Sequence, residues 1–153
     1  MYIVLTYFNQ IIGPETFFSI PTTIPEEFSK KIGKFLNLDI EEAFYKVVFL
    51  DRQLKIINMS FEVPSGWGRG GVEEAMISVI TDEDYRSKLF YDLLIEISEK
   101  IINRENIYKG FYKFDELRNH DIEVDIKYEE IRYILVKSLE KFIEMLDSLL
   151  NQK

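Results

Sequence analysis

Apolar residues occupy both alternating sets of positions at the very start of this chain. Residues 2–8 read Tyr-Ile-Val-Leu-Thr-Tyr-Phe, the pattern of a strand covered on both faces rather than one. Gly13 and Pro14 then break the chain, and residues 16–20 supply a partner strand that Pro21 stops. Thr23-Ile-Pro-Glu26 has the spacing of a capping box with proline in the first turn. Phe28, Ile32, Phe35 and Leu36 follow on one helical stripe, so the first helix is expected over residues 24–38.

The period then returns to two. Residues 44–50 form a strand, and Asp51, Arg52 and Gln53 make a tight polar connection. Residues 54–63 form another strand, with Ile56, Asn58, Ser60 and Glu62 on one face and Ile57, Met59, Phe61 and Val63 on the other. Residues 64–71 are a loop holding four of the seven glycines, and residues 73–80 are a strand apolar on both faces, hence central. Asp82, Glu83 and Asp84 offer an N-cap and a negative first turn to a second helix. Its stripe is Tyr85, Leu89, Leu93, Ile97 and Ile101. A third helix carries Tyr128, Ile131, Leu135, Leu139, Phe142, Leu146 and Leu149. Between them, residues 103–125 show no clear period, and Gly110 interrupts them. The predicted order is β-β-α-β-β-β-α-α, an α+β fold in one domain over residues 1–153, with 103–125 an uncertain connection or insertion.

Composition narrows the function classes. The 46% hydrophobic and 30% charged fractions are ordinary for a globular chain. No apolar run nears the roughly 20 residues that span a bilayer. The N-terminus lacks the basic region and cleavage site of a secretory leader, so a cytoplasmic location is expected. With no cysteine, disulfides and thiolate chemistry are excluded. A net charge of −8, from 27 acidic and 19 basic residues, argues against nucleic acid and anionic membranes as partners.

Three segments invite a chemical reading. Gly66-Trp-Gly-Arg-Gly-Gly71 has the letters of G-x-G-x-x-G, but a strand follows where phosphate binding needs a helix N-terminus. It reads instead as an interstrand loop in which Trp67 and Arg69 are candidate partner contacts, being residue types enriched at interfaces. Asp121-x-Glu123-x-Asp125 opens like a calcium loop, yet its sixth position is Ile126 and its twelfth Arg132. These carboxylates are expected to lead into the last helix. His120 is the only histidine, so no pair of histidine ligands forms within one chain. No catalytic, cofactor-binding or metal-binding residue is assigned, and the expectation is a protein that is not an enzyme.

This element order, with the Gly13-Pro14 turn, a single helix between the second and third strands, a three-strand meander and two terminal helices, resembles the longin family. The resemblance implies a five-stranded, mainly antiparallel sheet of order 2-1-5-4-3. One helix would cover one face and the two C-terminal helices the other. It also implies a protein-interaction platform: an adaptor or regulatory subunit for a small GTPase or a trafficking-type complex. Its partner would be a GTPase, another longin or roadblock protein, or a second copy of the chain. No coiled-coil motif or membrane anchor follows the domain, so a stand-alone, archaeal-type longin is expected. A competing expectation is a small-molecule sensor of the PAS or GAF sort, which predicts a ligand-sized cavity with converging polar groups.

Overall fold

The computed structural model describes residues 1–9, 11–20, 24–36, 44–82 and 84–152, with residues 29, 35 and 36 given by backbone alone. Five strands, β1 (Tyr2–Asn9), β2 (Gly13–Ile20), β3 (Phe44–Phe49), β4 (Leu54–Pro64) and β5 (Val72–Asp82), form one antiparallel sheet in the order β2-β1-β5-β4-β3. Three α-helices accompany it: α1 (Glu26–Leu36), α2 (Ser87–Ile102) and α3 (Ile122–Asn151). Two 3-10 turns, Arg69–Gly71 and Ile107–Tyr112, complete the described elements.

The two strands with two-sided apolar patterns are neighbours, with Tyr2 opposite Ile80 and Tyr7 opposite Ala75. Ile3, Val4 and Leu5 of β1, and Met76, Ile77, Val79 and Ile80 of β5, are all buried. Successive strand residues point to opposite faces, and the core divides accordingly. Val4, Ile56, Met76 and Ile80 share one cluster with Phe28 and Ile32 of α1. Ile3, Leu5, Ile57, Ile77 and Val79 share a larger one with Phe90, Leu94 and Ile97 of α2 and Ile131, Leu135 and Phe142 of α3. Each large aliphatic side chain so buried contributes about 2 kcal/mol.

The smaller cluster is partly polar. Val4, Ser78 and Asn58 stand in register across three strands. The Ser78 hydroxyl donates to Asn58 Oδ1 at 2.6 Å. Asn58 Nδ2 and Thr6 Oγ1 are buried and find no hydrogen-bond partner among the described residues.

Several boundaries differ from the sequence expectation. β2 begins at Gly13 itself, because the turn is tight enough for Asn9 to pair with Gly13. α1 starts at Glu26, two residues late. Phe28 N–H donates to Pro25 O at 3.0 Å, and the proposed cap Thr23 and the helix end at Leu38 lie outside the described residues. The second helix is not capped by Asp82, which ends β5. Arg86 holds the cap position in extended conformation with no side-chain bond, and Tyr85 precedes the helix; Glu83 lies outside the described residues. The aperiodic stretch is built of turns around the 3-10 segment Ile107–Tyr112, and α3 begins at Ile122, well before Tyr128.

Candidate functional site

The loop from β4 to β5 is shaped by one serine. Buried Ser65 Oγ accepts from the Trp67 N–H at 3.1 Å and the Gly68 N–H at 2.8 Å, and donates to the Glu73 carboxylate at 2.7 Å. The Ser65 N–H donates to Gly71 O at 2.8 Å and closes the loop, which needs positive φ at Gly70 and Gly71. Gly68 has another reason for its identity: a Cβ there would come within 2.2 Å of Val72 O.

Glu73 ties this loop to the distant 3-10 turn. The Tyr112 hydroxyl donates to the same carboxylate oxygen as Ser65, at 2.5 Å. Burial pushes the Glu73 carboxyl above its usual range, against the two hydroxyls and the nearby charge of Arg118, which pull it down. Burial, followed by the Glu73 contact, pushes the Tyr112 phenol up as well.

Trp67 completes the junction. Its ring meets Tyr108 and Tyr112 edge-on, with centroids 5.4 and 5.2 Å away. Two cations lie over it, the Arg118 guanidinium at 4.6 Å and the Lys109 ammonium at 5.3 Å. Asp115 sets Arg118 in place, because its Oδ1 accepts from the Leu117 and Arg118 N–H groups at 2.9 and 3.1 Å. The 3-10 turn can reach this position because Gly110 lets it close onto α3. A Cβ on Gly110 would sit 2.8 Å from Lys127 C and Tyr128 N.

A cleft of about 200 Å³ opens beside this cluster, walled by Trp67, Tyr112, Glu73, Phe111 and Arg118 and by the end of β1. Ile11 and Leu117, 87% and 86% exposed, also line it. Arg69 lies apart, exposed, lining a smaller hollow of about 110 Å³ with Phe8, Val72, Glu73 and Glu74. The structure thus places the two sequence candidates, Trp67 and Arg69, on different hollows that share Phe8 and Glu73. Sequence reasoning did not find Glu73, Tyr112 or Arg118. Glu73 and Tyr112 are 39 positions apart, so no local pattern joins them.

The acidic sequence candidates have structural employment. Asp121 caps α3 by accepting from the Glu123 N–H at 2.9 Å, and Lys109 bridges Asp121 and Glu123 at 3.2 Å each. Lys113 pairs with Asp125. His120 is exposed. Among the described residues no group of three or more His, Asp or Glu side chains is placed to hold a metal ion. No described helix is long and apolar enough to cross a membrane. No family model matches the chain, and no curated protein matches its sequence.

Proposed function

We propose that this chain is a longin-like interaction platform, an adaptor or regulatory subunit that pairs with a small GTPase or with another domain of the longin and roadblock kind. The observation that carries this reading is the strand order β2-β1-β5-β4-β3, all antiparallel, with one helix after β2 and two after β5. The division of the core supports it further. α1 shares its cluster with one set of strand residues and α2 and α3 share theirs with the alternate set, as one helix over one face and two over the other would require.

The two terminal strands of the sheet differ in how well they resist pairing. β2 carries Pro14, which has no N–H, and Glu15, and its register with β1 shifts at Leu5 and Thr6. β3, Phe-Tyr-Lys-Val-Val-Phe, carries one charge and no proline. With no proline and no register shift, and with Lys46 its only charge, β3 is the less protected of the two edges, so pairing with a partner sheet or a second copy is assigned to β3.

The test is affinity capture of the tagged chain from native lysate, with mass spectrometry of what it retains. Recovery of a small GTPase, or of a longin or roadblock protein, is the expected result. A chain that stays monomeric and retains no protein overturns the reading. The cleft beside Trp67 favours a second reading, a small-molecule sensor, since polar groups converge there on an aromatic-walled space.

A further inference from the structure

Arg118 lines the cleft with a guanidinium whose hydrogen-bonding capacity is unused among the described residues. Its neighbours on the same segment, Lys109 and Lys113, are both spent in ion pairs with carboxylates at the start of α3. The Arg118 guanidinium makes no ion pair and no hydrogen bond among the described residues. It rests over the rings of Trp67, at 4.6 Å, and Tyr112, at 6.0 Å. A guanidinium seated over aromatic rings with its N–H fork unengaged can offer two parallel hydrogen bonds to a planar anion. Glu73 at the same cleft already accepts two hydroxyls, and Asp115 is engaged by two backbone N–H groups. The negative charges of Glu73 and Asp115 oppose a phosphate dianion about twice as strongly as a single carboxylate, so the fork selects the lower charge. Aromatic walls and the exposed side chains of Ile11 and Leu117 suit an apolar body behind that charge.

We infer that this cleft is a binding site for a monocarboxylate on an apolar body, with the Arg118 fork as its anchor and Trp67 as its wall. The carboxylate comes from a free organic acid or from an acidic residue flanked by apolar ones in a partner polypeptide. The inference goes beyond the platform reading and stands without it.

Trp67 is the only tryptophan in the chain, so its fluorescence reports on this cleft alone. The purified protein is titrated with two matched pairs of probes, phenylacetate against phenylacetamide, and acetyl-Phe-Glu-Leu-amide against acetyl-Phe-Gln-Leu-amide. A saturable change of Trp67 emission with the acid, and not with its amide, is expected in at least one pair. The free-acid pair identifies a metabolite-type ligand and the peptide pair a partner residue. Arg118→Gln, at an exposed position and checked by circular dichroism, should weaken the binding by about tenfold or more, as loss of charge-assisted hydrogen bonds does. Arg118→Lys, which keeps the charge without the fork, should fall between. Equal responses to acid and amide in both pairs, no saturable response in either, or unchanged affinity in Arg118→Gln overturns the inference. These titrations need no partner, so they fail separately from the platform reading. A captured GTPase with negative titrations sinks only the site, and a positive titration with nothing captured sinks only the platform.

Discussion

The Tyr112 hydroxyl donates to buried Glu73 at 2.5 Å, and this bond fastens the connection between α2 and α3 to the end of the sheet. Ser65 donates to the same carboxylate oxygen. Glu73→Ala therefore strands the buried Ser65 hydroxyl and the half-buried Tyr112 hydroxyl. It should cost about 2–3 kcal/mol, the penalty for buried polar groups left without partners. In a chain of this size that is a fall of roughly 5–10 °C in melting temperature. Glu73→Gln keeps an acceptor oxygen and should stay within about 1 kcal/mol of the parent at neutral pH. Urea unfolding of the two variants checks both.

The same residue sets a pH dependence. The Glu73 carboxyl is raised from 4.5 by burial, so the native state holds this proton more tightly than the unfolded chain. Its contribution favours folding below pH 4.5 and is lost as pH rises through the raised value. The stability gap between Glu73→Gln and the parent should therefore change across that window and be flat above it. A gap that is constant from pH 4 to pH 8 would show that Glu73 titrates normally.

Gly110→Ala should be among the most damaging substitutions. Its Cβ would meet Ile131 Cδ1, Lys127 C and Tyr128 N, each at 2.8 Å, and the two backbone atoms belong to a helix that cannot yield locally. A loss of about 2–3 kcal/mol is expected from such overpacking. Proteolysis should then cut first between residues 103 and 121, as the connection lifts from α3. Wild-type resistance in Gly110→Ala would show that the turn shifts at little cost.

Ser78 and Asn58 form an isolated polar pair inside the smaller cluster. Ser78→Ala alone should destabilise by about 1–2 kcal/mol, because Asn58 then has a second unpaired group. Ser78→Ala combined with Asn58→Leu removes both partners and should restore or exceed the parent melting temperature. A double variant less stable than either single one would show that the pair specifies packing.

Trp67→Ala removes a ring packed against Tyr108 and Tyr112 and lying under two cations. A stability loss of about 2 kcal/mol is expected for truncating a half-buried aromatic. Arg69, exposed in its own hollow, should be replaceable by alanine within about 0.5 kcal/mol. Arg69→Ala is therefore the variant whose effect on partner capture reports contact alone; a melting temperature lowered by several degrees would show that Arg69 is structural.

The pattern of apolar and polar positions marked out the five strands, their sidedness and the central place of β5. Alternation, two-sided apolar runs and Gly-Pro breaks are local signals that survive without knowledge of the fold. Helix starts were less legible, as Arg86 shows, where a plausible acidic cap lost to the continuation of β5 through Asp82. Residues 103–121 take their order from long-range contacts. Their turns have no period of their own and are held by Gly110 against α3 and by Tyr112 against Glu73. The cleft was equally invisible. Trp67, Glu73 and Arg118 come from three segments, and their meeting depends on backbone closure and burial, which no spacing along the chain encodes.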